Sequence, residues 1–360
     1  MTGQGHQDFV DELARFAAGH PDPRVTAIAT RTAAPLGVLV RGRPGVGRGT
    51  VARALDRAGA SAGIAVTTDG GRPADVVVQV LTEVVKPEDV DAIAGAGRPV
   101  LAVLNKADLA GSLSGGDGPI AAARARCAGL AALVDAPMVP MSGVLAVAAL
   151  DDLDDALWAA LRTLAAHPGA ADCLDGSFAG FLAADNPLPA DVRLRLLDTL
   201  DLFGIALGVA AARQGRSAAQ LRALLRRTSG IDALVSHISV AGAEARYRRV
   251  CDAVADLEVL AVGPGEPAER IGAFLSHDDT VVARMAAAVD LAEAAGLDPD
   301  IAQPADWDRD PSAHLPRAVR WQRYSRATSS DLHRACGADI ARGSMRLWSR
   351  ACGSLPGDWR

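Results

Sequence analysis

The chain has 360 residues, 49% of them hydrophobic, and a formal net charge of −6. That is enough apolar material for two cored domains, and the acidity argues against nucleic acid as the partner. No apolar run reaches the length of a membrane span, and Met1–Asp8 lacks the charged-then-apolar pattern of a secretory leader, so a cytoplasmic protein is expected.

Residues 1–32 are expected to form an N-terminal helical segment. Leu36–Arg41 then reads as a strand, followed by Gly42-Arg-Pro-Gly45-Val-Gly47-Arg48-Gly49-Thr50 and a helix from Val51 to Ala60. Strand, glycine-rich loop and helix are the context of a phosphate loop, in which backbone N–H groups and a helix N-terminus face an anion. Against G-x-x-x-x-G-K-[ST], Gly42 and Gly47 match. Arg48 replaces the lysine, Gly49 the magnesium-holding hydroxyl, and Thr50 comes one residue late. Arginine is a fork rather than a point charge, so phosphate binding is expected but Mg²⁺-assisted hydrolysis is not secured.

Gly63–Thr68 reads as the next strand. Asp69 follows it, but a D-x-x-G sensor would need glycine where Arg72 stands. The 18 residues between Thr50 and Asp69 leave no room for a switch segment with its own strand. If Mg²⁺ binds, Thr50 and Asp69 are its candidate ligands. Ala74–Leu81 and Pro99–Leu104 read as buried strands.

The second of these runs into Asn105-Lys106-Ala107-Asp108, the N-K-x-D turn by which guanine-nucleotide proteins read the base. The aspartate accepts two hydrogen bonds from guanine's edge, a pair adenine does not offer. The asparagine ties the turn to the phosphate loop, and the lysine stem covers the base. Only Lys86 and Lys106 are lysines among 37 basic residues, so a lysine at this position is notable. Pro137–Met141 with Ser142-Gly143 fits the strand and loop that back the base.

Together these predict an α/β domain of P-loop NTPase type over residues 33–167, three-layered with a mainly parallel sheet. An all-α helical bundle over 168–360 follows. Helices are expected at Ala146–His167, Asp175–Ala184, Ala190–Arg213, Ala218–Thr228, Ile231–Val262, Ala268–Leu275, Thr280–Ala295, Leu315–Arg326 and Ser330–Trp348. Breakers separate them at Asn186-Pro187, Gly215, Ser229-Gly230, Gly263-Pro264-Gly265, Pro304 and Pro311.

Cys127, Cys173, Cys251, Cys336 and Cys352 lack C-x-x-C spacing and are expected to be buried free thiols. Pro311–Arg360 carries nine arginines against three aspartates, with Trp321, Trp348, Trp359 and Tyr324. Such a segment either meets acidic headgroups or an acidic protein, placing the chain peripherally on the inner membrane face, or it packs back on the acidic body; the second is favoured. The wealth of alanine, arginine, valine and glycine fits a high-GC bacterial gene.

With these motifs placed, the chain resembles the dynamin-like GTPases of actinobacteria, through Gly42–Thr50, Asn105–Asp108 and Ser142-Gly143. Leu200–Ile205, Leu221–Leu225, Thr228–Leu234 and Arg246–Arg249 resemble the helical region behind the GTPase domain there. The resemblance implies a GTP- or GDP-binding protein of a family whose hydrolysis drives membrane remodelling or scaffold assembly, often through paired GTPase domains. The family's catalytic loop residue falls near Gly45, which has no side chain, and no lipid-inserting paddle is visible. A divergent member with weak or lost hydrolysis is expected, acting as a regulatory or scaffold partner of another protein such as an intact GTPase. No catalytic residue is assigned. The alternatives are a pseudo-GTPase interaction module without nucleotide and a small-molecule kinase on a P-loop fold.

Overall fold

The structure, a computed structural model, describes residues 3–71, 73–111, 118–169, 177–185, 187–298, 307 and 310–353. Arg72, Cys173, Asn186, Pro304, Trp359 and the expected helix start at Asp175 lie outside these residues. The chain packs as two compact units, Gly37–Ile238 and Met1–Leu36 with Ser239–Arg360. The packing therefore divides the chain elsewhere than at 32/33 and 167/168. The N-terminal segment belongs with the C-terminal helices, and the helices up to Ile238 belong with the sheet.

The N-terminal segment folds as α1 (Gln4–Ala18) and α2 (Pro23–Thr32). Asp22 caps α2 by accepting from the Arg24 N–H at 2.9 Å, and Pro23 sits at the first helical position. In α1, Phe9, Val10, Leu13 and Ala17 recur at helical spacing and are buried.

In the other unit, β1 (Leu36–Gly42) leads into α3 (Arg48–Gly59). A single 3-10 turn, Ala60–Ala62, then carries the chain into β2 (Ile64–Thr67) with no strand between, as the short spacing to Asp69 predicts. The chain continues through β3 (Val76–Leu81), α4 (Pro87–Ala94), β4 (Val100–Leu104), α5 (Gly118–Val134), β5 (Met138–Pro140), α6 (Gly143–Val147) and α7 (Asp155–Ala166).

The strands make a five-stranded parallel sheet in the order β2-β1-β3-β4-β5. All of β3 is buried, which is why it reads as a run of valines rather than an alternation. The register pairs Gly42 with Val80, Leu81 with Leu104, and Leu104 with Pro140. The loops after β1, β4 and β5 therefore open on one sheet edge. The chain leaves β1 for β2 on one side and leaves β3 for β4 on the other, so the ends of β1 and β3 form a topological switch point, where such sheets bind ligands.

The helix expected over Ala146–His167 is divided. A wide turn, Ala148–Asp152, follows α6, and Asp154 starts α7 by accepting from the Leu157 N–H at 2.8 Å. Helix Phe178–Ala183 is shorter than expected, whereas Ala190–Arg213 has its expected ends. Ser217 and Gln220 close a reciprocal capping box before helix Ala218–Ser229. Leu145, Leu157, Leu161, Phe181, Leu196 and Leu200 form the core of this region.

The second unit gathers α1 and α2 with helices Ala243–Ala261, Glu266–Ser276, Asp278–Ala294, His314–Ala327 and Asp331–Gly353. Phe9, Leu13, Tyr247, Met285, Trp321 and Ile340 lie in its core. The helix expected over Ile231–Val262 is split at Gly242.

Much of the arginine-rich C-terminal region is paired internally. Arg320 pairs with Asp298, Arg342 with Asp339, Arg346 with Asp278, and Arg350 with Asp278 and Asp279. Trp321 is buried against the edge of Tyr324, whereas Trp348 is exposed. Cys127 and Cys336 are buried and Cys251 half-buried; Cys352 is exposed, against expectation. No described helix is long and apolar enough to cross a membrane.

Candidate functional site

The loop after β1 is shaped by two glycines. A Cβ on Gly42 would lie 2.6 Å from the Val80 carbonyl oxygen. Gly47 has φ +83°, and its Cβ would lie 2.4 Å from Asn105 Nδ2. Neither position accepts a side chain, and Gly47 also serves as the N-cap of α3. No side chain caps this helix and its first turn carries no acid, so its leading N–H groups are left to face an anion. α3 begins at Arg48, three residues earlier than expected.

A cleft of about 510 Å³ opens over this loop. Gly42, Gly45, Gly47 and Gly49 line it with Pro44, and three cations, Arg43, Arg48 and Lys106, complete the wall. No carboxylate lines it among the described residues. A concave wall of glycines and three positive charges favours a polyanion.

The turn after β4 is fastened to that loop by Asn105, which is 5% exposed. Its Nδ2 donates to the Val46 carbonyl at 2.9 Å, and its Oδ1 accepts from the Gly143 N–H at 2.9 Å. One side chain thus joins the loops after β1, β4 and β5. Lys106 follows in the left-handed region at φ 58°, and the next turn buries Asp108 to 6% exposure. The Asp108 carboxylate accepts no hydrogen bond among the described residues. Neither of its oxygens is wholly enclosed, so the carboxylate meets solvent and is open to a donor from outside the chain.

No known protein family, curated protein or solved structure matches this chain. The site therefore stands on its own geometry.

The structure brings Gly42, Gly45, Gly47, Arg48, Gly49 and Lys106 together on the cleft, with Asn105, Asp108 and Gly143 behind them. Other predicted site residues have local duties. Ser142 is wholly buried; its Oγ caps α6 and its N–H donates to the Ser229 carbonyl at 2.9 Å. The methyl of Thr50 packs 3.3 Å from where a Gly143 Cβ would sit. Asp69 is exposed and accepts from the Gly71 N–H at 3.0 Å, closing its own turn. Neither Thr50 nor Asp69 lines the cleft.

Three residues of the site region escaped the sequence reading. Arg43 stands at a variable position of the loop, yet its Nε donates at 3.0 Å to both oxygens of Asp89. Asp89 is fully buried at the start of α4. A carboxylate in the first turn after Pro87 was the available signal. The third is Asp201, where helix Ala190–Arg213 is kinked at φ 57°, ψ 174°. Burial raises its carboxyl pKa; the charge of Asp108 adds to this, while the Leu202 N–H and Lys106 oppose it. Asp201 thus shares the electrostatic surroundings of the turn after β4.

Proposed function

We propose that this chain binds a guanine nucleotide on a P-loop type of sheet edge, with the phosphates over Gly42–Gly49 and the base against Lys106 and Asp108. The observation that carries the reading is the Asp108 carboxylate, open to solvent and without a hydrogen-bond donor among the described residues, two residues beyond Lys106 on the wall of a cleft with three cations. Guanine's ring N–H and amino group are the donor pair such a carboxylate lacks. The Asn105 bridge sets the distance between base and phosphate subsites, which is what a nucleotide requires and a free anion does not.

Efficient hydrolysis is not part of this proposal. Gly45 and Gly49 offer no side chain, and Thr50 and Asp69 are turned to local packing, so the groups that would polarise a terminal phosphate through Mg²⁺ are missing from their expected places. The protein then acts as a nucleotide-responsive regulatory or scaffold partner. Calorimetric titration with GDP, a GTP analogue and ATP, with and without Mg²⁺, decides the reading. Guanine-selective binding that disappears in Asp108→Ala is the expected result. Absence of binding at high micromolar nucleotide would replace it with a pseudo-GTPase interaction module.

A further inference from the structure

Position 48, where the phosphate-loop lysine belongs, holds an exposed arginine with no hydrogen bond or ion pair among the described residues. Orienting such a side chain on a ligand costs rotamer entropy at the moment of binding. Arg43, on the same cleft wall, is different. Its Nε is fixed on Asp89 by two contacts of 3.0 Å.

Asp89 is itself immobilised. Its Oδ2 also accepts from the Lys86 N–H at 3.1 Å, and its Oδ1 from Gln79 Nε2 at 3.4 Å. Gln79 is the one polar residue of β3, and its Oε1 accepts from Arg41 Nε at 3.0 Å. Arg41 further donates to the Ala92 carbonyl. Arg41 thus reaches the carboxylate only through the Gln79 amide, and Arg43 is the one guanidinium directly on Asp89 among the described residues. The two terminal nitrogens of Arg43 make no hydrogen bond among the described residues.

We infer that Arg43, held through its Nε by the buried Asp89, is the cation that grips the terminal phosphate group of a polyphosphate ligand, in place of the lysine the loop lacks. Asp89 is the positioning residue: it orients the fork and leaves its two terminal nitrogens for two phosphate oxygens. The inference rests on the nucleotide reading for the identity of the ligand, but not for its polyphosphate chemistry.

Calorimetric titration of the full chain with GTP, GDP, ATP and inorganic triphosphate tests it, using Arg43→Gln, Arg43→Lys, Asp89→Asn and Asp108→Ala. Arg43→Gln should weaken GTP and inorganic triphosphate by about ten- to a hundredfold while keeping the preference for guanine over adenine. Arg43→Lys, which cannot hold Asp89 and offer a fork at once, should recover only part. Asp89→Asn should weaken triphosphate binding in the natural chain but add nothing in an Arg43→Gln background; equal losses in both would make Asp89 merely structural and overturn its role.

Unchanged triphosphate affinity in Arg43→Gln, with guanine preference still lost in Asp108→Ala, sinks the inference and leaves the nucleotide reading standing. Triphosphate binding lost in Arg43→Gln, without any guanine preference in the natural chain, does the reverse. Should Arg43→Gln fail to fold, unchanged triphosphate affinity in both Arg43→Lys and Asp89→Asn overturns the inference.

Discussion

Each unit of the molecule buries two aspartates, and Asp339 of one and Asp108 of the other are handled oppositely. Asp339, 3% exposed in the helical unit, accepts from Tyr247 Oη at 2.9 Å, from Arg284 at 2.9 Å and from Arg342 at 3.3 Å. Asp108, 6% exposed at the sheet edge, accepts from nothing among the described residues. A carboxylate with three donors is part of the fold. One whose oxygens meet solvent and hold no partner among the described residues is free to accept from a ligand.

The largest effect that could break this contrast is at Asp339. Replacement by alanine strands the Arg284 guanidinium, 12% exposed, and the Tyr247 hydroxyl, and should cost about 3–5 kcal/mol in urea unfolding. A loss below about 1 kcal/mol would mean that this network is as dispensable as a surface pair.

Next is His6, in the same unit. Burial first, then the charges of Arg246 and Arg249, lower its pKa to about 4. The unfolded chain binds the proton near pH 6.5 while the folded one does not, so stability falls as pH drops from about 6.5 toward 4. The loss attributable to this group approaches about 3 kcal/mol at pH 4. His6→Gln should flatten that part of the profile; unfolding curves at pH 7 and pH 4 that differ equally for both proteins would refute it.

The strands of the sheet unit were legible because two-sided burial writes itself as apolar runs, as at Val76–Leu81 and Val100–Leu104. The Asn105–Asp108 turn was legible as a motif, and the tie from Asn105 to the glycine-rich loop was expected and is present. What escaped prediction depends on partners distant in the chain. Arg43 looks like a filler position until Asp89 is folded beneath it. The membership of α1 in the C-terminal unit has no local signal, since its apolar stripe does not name the helix it covers. Gly242 sits in an apolar periodic run, where a lone glycine is a weak breaker. The kink at Asp201 interrupts Leu200-Asp-Leu-Phe-Gly204, which reads as uninterrupted helix.

Asp201 yields a smaller, opposite effect. At φ 57°, ψ 174° glycine alone is relaxed, and an aspartate there stores on the order of 1–3 kcal/mol. Asp201→Gly, after allowance for glycine's looser unfolded state, should raise stability by about 1 kcal/mol at neutral pH. The carboxyl pKa is raised in the fold, so its ionisation penalty exists above that pKa and is gone below the ordinary carboxylate range. The gain should therefore shrink on acidification. A destabilised glycine variant would show that the side-chain bond from Asp201 to the Leu202 N–H outweighs the strain.

The smallest expected effect separates the two aspartates most sharply. Without nucleotide, Asp108→Ala removes a carboxylate that holds nothing, so stability should change by less than about 1 kcal/mol, and upward if at all. With GTP at a hundred times its dissociation constant, the natural chain should gain about 2.7 kcal/mol and the alanine variant almost none. If Asp108→Ala instead lost about 3 kcal/mol in the absence of ligand, Asp108 would be a structural carboxylate like Asp339, and the sheet edge would lose its claim to read a base.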